Sequence, residues 1–125
     1  MKKDFETLIT KTIKDHILLV TFNRPKFANA FNTQMAHELT ELMEDISMSL
    51  DEIRTIIFTG SGDKAFCAGG DLKERNGMSD QDWEKQHLVY ERMIRAILNC
   101  PIPVIGAING AAYGGGCEIA AALDF

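Results

Sequence analysis

The chain has 125 residues, 46% hydrophobic and 25% charged, with 13 Lys and Arg against 18 Asp and Glu for a net charge of −5. That composition fits one small globular domain over 1–125, lies far from the regime of disordered chains, and, with no Lys/Arg-dense run, argues against nucleic acid as the main partner. The cysteines Cys67, Cys100 and Cys117 are too widely spaced for a zinc motif, and an odd number suits reduced thiols, so no metal and a cytoplasmic location are expected.

The polar start Met1-Lys2-Lys3-Asp4 carries no apolar signal segment. Ile17–Phe22 is a short β-rich run ended by Asn23-Arg24-Pro25, where proline cannot donate to a ladder. From Thr33 the apolar positions Met35, Leu39, Leu42, Met43 and Ile46 follow helical spacing, with Asn32 as N-cap, and predict a helix to about Leu50. Residues 54–59 hold Ile56, Ile57 and Phe58 before a Gly60-Ser61-Gly62-Asp63 turn and predict a buried strand. Asp71-Leu72-Lys73-Glu74 has the pattern of a capped short helix. Ser79 with Asp82 opens a longer one, with a helical stripe of Trp83, His87, Tyr90, Ile94, Ile97 and Leu98 up to Asn99-Cys100-Pro101, in which Trp83, Tyr90, Ile94 and Ile97 read as core packing. Residues 103–108 read as a further strand and 118–123 as a helix, with no recognisable cap at Asp124-Phe125. The apolar run 104–123 contains Asn109, five glycines and Glu118, so no membrane span is expected. Strands alternating with helices predict an α/β fold with mainly parallel pairing, and three strands make a thin sheet that leaves part of the fold unaccounted for.

Two segments carry the chemistry. Ala65-Phe66-Cys67-Ala68-Gly69-Gly70-Asp71 follows a strand and ends at a helix cap, with side chains small enough for a ligand to lie against the backbone. Asn109-Gly110-Ala111-Ala112-Tyr113-Gly114-Gly115-Gly116-Cys117-Glu118 repeats that design and fits neither a phosphate loop nor a dinucleotide fingerprint. Two such turns facing one another would supply converging N–H donors for a developing oxyanion. Glu118, in the first turn of an apolar helix, reads either as a charge favourably placed at a helix start or as a general acid/base whose pKa an apolar surround would raise. His16, His37 and His87 share no motif spacing, and Cys67 reads as a small buried residue rather than a nucleophile.

The runs Phe22-Asn23-Arg24-Pro25-Lys26-Phe27-Ala28-Asn29-Ala30, Ala65-Phe66-Cys67-Ala68-Gly69-Gly70-Asp71-Leu72-Lys73-Glu74, and Pro103 with Asn109-Gly110 and Gly114-Gly115-Gly116-Cys117-Glu118, in this order, resemble the enoyl-CoA hydratase/isomerase (crotonase) superfamily. The resemblance implies a spiral of repeated β-β-α turns, here the N-terminal portion of one crotonase-like domain, without the C-terminal part and the trimerisation helices. It implies that the Gly70 and Gly115 amides hold a thioester oxygen and that Glu118 is one of two catalytic glutamates, the second lying beyond residue 125, so that the chain alone is expected to be inactive. Lys26, Phe27 and Ala28 are implied to pass beside the CoA nucleotide, Ala68 to lie near the adenine, and Asp71 and Leu72 to line the pantetheine and acyl part. The implied partner is an acyl-CoA thioester, with coenzyme A present only as part of the substrate and no separate cofactor, in a homotrimer or hexamer. The implied reaction is hydration of an α,β-unsaturated acyl-CoA; isomerisation or thioester hydrolysis on the same scaffold, or acyl-CoA binding without catalysis, are the alternatives.

Overall fold

A computed structural model describes residues 4–125, whose elements follow a repeating order. β1 (Leu8–Lys14) and β2 (Ile17–Phe22) precede α1 (Thr33–Ser47). Next come β3 (Thr55–Gly60), β4 (Ala65–Cys67), the single-turn α2 (Leu72–Arg75) and α3 (Asp80–Leu98), and finally β5 (Val104–Gly106), β6 (Ala111–Ala112) and α4 (Gly115–Ala122). Two sheets form, a four-stranded one in the order β1-β2-β3-β5 and a two-stranded one of β4 and β6. β2, β3 and β5 pair in parallel, as do β4 and β6, and a lone parallel bridge from Phe31 to Gly70 extends the smaller sheet. Each turn of the chain therefore lays one strand in the main sheet, a short strand or bridge residue in the second, and then a helix. This is the expected α/β spiral.

The core lies between the main sheet and the helices. β2 and β3 alternate, burying Leu18, Val20, Phe22, Ile56 and Phe58 on one face. Phe22 packs on Phe58 and Phe66 with ring centroids 5.6 and 5.2 Å apart. α1 presents Met35, Leu39, Leu42, Met43 and Ile46 to that face at helical spacing, capped by Asn32 accepting from the Met35 N–H. Burial of each such side chain stabilises the fold by about 1.5–3 kcal/mol.

Several elements differ from the sequence reading. The main sheet has four strands because β1 joins antiparallel to β2 at its edge. On α3 the buried positions are Gln86, Tyr90, Met93 and Ile97, whereas Trp83 and Leu98 are about half exposed, at 45% and 59%. Trp83 stacks on His87 on the outside instead of entering the core. The strand expected at 103–108 contracts to β5, and the helix expected from Glu118 begins three residues earlier at Gly115. Asp124 and Phe125 fasten to β5: the Asp124 N–H donates to the Val104 carbonyl, the Asp124 carboxylate accepts from the Val104 N–H, and the Phe125 carbonyl accepts from the Gly106 N–H. No helix among the described residues is long and apolar enough to cross a membrane.

Candidate active site

Parallel pairing of β4 with β6 sets Ala65 beside Ala111 and Cys67 beside Ala112, so the glycine turns that follow the two strands leave the sheet together. Their closeness explains two of the glycines, and the Phe31 ring packed beside them a third. Gly69 has φ +96°, and a Cβ on it would lie 2.8 Å from the Tyr113 carbonyl oxygen and 3.2 Å from the Gly115 nitrogen. A Cβ on Gly116 would lie 2.0 Å from the Cys67 carbonyl oxygen, and one on Gly115 would enter the Phe31 ring at 2.3 Å. The two segments singled out in the sequence thus touch, backbone to backbone.

The hydrogen bonding around them leaves two donors over. Phe31 donates its N–H to the Gly69 carbonyl at 2.8 Å and accepts from the Asp71 N–H at 3.0 Å, which uses the groups on either side of Gly70 and not the Gly70 N–H itself. Gly115 is the first residue of α4, where an amide has no carbonyl one turn back to bond. Among the described residues neither N–H has a hydrogen-bond acceptor. Both glycines line a cleft of about 680 Å³ whose other wall is α3, through His87, Tyr90, Glu91, Met93, Ile94, Arg95 and Leu98, with Leu72 and Arg75 of α2 at one end. Glu118 lines the same cleft from α4, three residues past Gly115, and its side chain is exposed rather than enclosed by the apolar surround anticipated for it.

Of the remaining expected site residues, Ala68 and Leu72 line the same cleft, whereas Lys26, Phe27, Ala28 and Asp71 lie outside its lining. Pro25–Phe27 is one 3₁₀ turn, ended by Ala28 and Asn29 in the left-handed region at φ 52° and 55°. Ala28 accepts from the Ala68 N–H at 3.1 Å, which joins Lys26, Phe27 and Ala28 to Ala68. Arg24 lies 4.5 Å from the centre of the Phe27 ring, donates to the Ala30 carbonyl and pairs with the Asp71 carboxylate at 3.0 Å. Asp71 also accepts from the Lys73 and Glu74 amides and so caps α2. Burial alone pushes the Asp71 carboxyl up, but the Arg24 guanidinium and the two amides outweigh it and hold its pKa below the usual value. Leu72 stands 75% exposed at the cleft mouth.

Side chains not singled out as site residues hold these parts in place. Asn29, fully buried, donates to the Ser61 and Ala65 carbonyls and accepts from the Arg24 N–H. Asn109 accepts from the Gly60 N–H and donates to the Ala65 carbonyl, tying β3 to the start of β4. Phe31 and Tyr90 meet edge to face at 4.8 Å, and the Tyr90 hydroxyl donates to the Phe31 carbonyl at 3.2 Å. Burial, aided by the nearby Glu74 carboxylate and opposed by Arg75, pushes the Tyr90 phenol up to about 12, so it remains a donor at neutral pH. Glu74 accepts from the Thr33 N–H and hydroxyl and from Gln86, which locks α2 to α1 and α3. Cys67 is buried and its thiol is pushed up to about 11 by that burial, which suits packing and not nucleophilic attack. No group of three or more His, Cys, Asp or Glu among the described residues could hold a metal.

Comparison with known proteins bears on this geometry. The sequence model described as Enoyl-CoA hydratase/isomerase matches residues 12–125. The chain is 42% identical over 114 residues to the enoyl-CoA hydratase/isomerase family protein YngF of Bacillus subtilis, covering 90% of this chain and 44% of YngF. It is 37% identical over 108 residues to the short-chain-enoyl-CoA hydratase of Clostridium acetobutylicum, covering 86% of this chain and 41% of that enzyme. The crystal structure of an enoyl-CoA hydratase from Bacillus anthracis superposes with a TM-score of 0.92 at 35% identity, over 96% of this chain and 46% of that one. The chain thus spans somewhat under half the length of the relatives it matches. Nearly its whole length follows their sequence and fold, with both glycine turns inside the matched region, and the chain belongs to the enoyl-CoA hydratase/isomerase family.

Proposed function

We infer that the protein carrying this sequence hydrates an α,β-unsaturated acyl-CoA, with the thioester oxygen held by the Gly70 and Gly115 amides. The observation that carries this reading is the pair of unbonded N–H groups at the base of one cleft. A carbonyl oxygen placed against both would gain negative charge as water adds to the β-carbon, and fixed donors stabilise that charge without reorganising. Glu118, on the same wall, is the general acid/base that activates the water and returns the proton at the α-carbon. The Phe27 ring beside Arg24, with Lys26 exposed next to it, offers an aromatic and cationic surface for the nucleotide end of CoA. Binding energy from that remote end would help hold the thioester against the two amides.

The test is hydration of crotonyl-CoA by the protein carrying this sequence, followed as loss of enoyl absorbance. Glu118→Gln is expected to lower kcat by about 10²–10⁴ while crotonyl-CoA still binds. Absence of hydration by the unsubstituted protein would contradict the hydratase reading. Undiminished activity in Glu118→Gln would remove Glu118 from the mechanism.

A further inference from the structure

Phe31 touches both glycine turns at once. Its N–H donates to the Gly69 carbonyl at 2.8 Å and its carbonyl accepts from the Asp71 N–H at 3.0 Å, a parallel bridge that grips the backbone on either side of Gly70. Its ring lies against the second turn and fills the space that a Cβ on Gly115 would need. The aim of the Gly70 N–H and the position of the Gly115 N–H therefore both depend on where Phe31 sits. Phe31 is held in turn from α3, the opposite wall of the cleft. The Tyr90 ring meets the Phe31 ring edge to face at 4.8 Å and 89°, and the Tyr90 hydroxyl donates at 3.2 Å to the Phe31 carbonyl, the same oxygen that takes the Asp71 N–H. With Tyr90 7% and Phe31 4% exposed, water has little access to replace that bond.

We propose that Tyr90 is a positioning residue for the carbonyl-binding amides: acting through Phe31, it sets the separation and aim of the Gly70 and Gly115 N–H groups. The proposal rests on the preceding reading of those amides as the thioester site. Fixed donors stabilise charge because they need not reorganise, and a misplacement of about 1 Å can cost on the order of 10²-fold in rate. Without Tyr90 the Phe31 backbone would keep its bonds to Gly69 and Asp71 but would be free to tilt about them, taking Gly70 with it and lifting the ring from Gly115.

Infrared spectra of butanoyl-CoA, isotope-labelled at the thioester carbonyl and bound to the protein carrying this sequence, read the two donors through the fall in carbonyl stretch relative to the same ester in water. Tyr90→Leu is expected to lose about half of that fall, and Tyr90→Phe, which keeps the ring and loses the hydroxyl, a smaller part. Ile46→Val loosens the core near the far end of α1 and should leave the fall whole, which separates positioning from a general loss of stability. Retention of the whole fall in either Tyr90 variant, or an equal loss in Ile46→Val, would overturn the proposal and leave the thioester reading intact. No fall in the unsubstituted protein would overturn both.

Discussion

Gly116 has a backbone carbonyl where other residues carry a side chain, and no rotamer can relieve that. Gly116→Ala would bring Cβ to 2.0 Å from the Cys67 oxygen and 2.8 Å from its carbon, so the two glycine turns must part. We expect a loss of about 3 kcal/mol in urea-induced unfolding, at the upper end for overpacking because backbone on both sides must move. At this scale the sequence was legible wherever the reason was local. The Asp71 cap, the Ser79 cap and the placement of Gly70 and Gly115 at strand-to-helix turns all follow from spacing within a few residues. Phe31, Gln86 and Asn109 were not legible as site residues, because each takes its role from groups far away in the chain. Gln86 meets Thr33 53 residues away, and Asn109 meets Gly60 49 residues away. Tyr90 read only as part of a packing stripe, since its bond to Phe31 spans 59 residues.

Between elements, two buried carboxylates do the fastening. Glu38, 6% exposed on α1, accepts from the Glu6 and Thr7 amides, the Thr7 hydroxyl and Gln34, and so holds the start of β1 against α1. Glu38→Ala strands those donors and is expected to cost about 3 kcal/mol by thermal or chemical unfolding. Asp71 performs the same service between α2 and Arg24, and Asp71→Asn, which can keep the cap but loses the charge paired with Arg24, should remove about 1 kcal/mol at neutral pH. For both carboxylates burial raises the pKa, but the hydrogen bonds received outweigh it and leave the folded value depressed. Their stabilisation is therefore complete above the unfolded carboxylate range of about pH 4 and disappears as pH falls through the lower folded value. Unfolding measured from pH 7 downward should show the Asp71→Asn deficit shrinking toward zero in acid; a deficit independent of pH would contradict the assignment. Where elements escaped the sequence reading, they were exposed or short. Leu8 is the one buried residue of β1, so its alternation carries no apolar face, and β4 and β6 span three and two residues, too few to show a period. On α3 a stripe through Trp83 was read as core, whereas the buried face runs through Gln86, a polar residue that hydrophobicity cannot mark.

Across the whole molecule, successive turns of the spiral bring distant segments into register. β2, β3 and β5 align in one sheet while Phe31, β4 and β6 align in the second, so that glycine turns 45 residues apart, at Gly70 and Gly115, open into one cleft. The α/β alternation and parallel pairing were legible from the order of apolar runs. The second sheet was not, because its strands become strands only through each other. Whether the two free amides polarise a thioester carbonyl is read by isotope-edited infrared spectroscopy of the carbonyl of an unreactive acyl-CoA bound to the protein carrying this sequence. Two hydrogen bonds from Gly70 and Gly115 predict a carbonyl stretch clearly lower than that of the same ester in water. A stretch at or above the aqueous value would show that the oxygen sits elsewhere and would contradict the account.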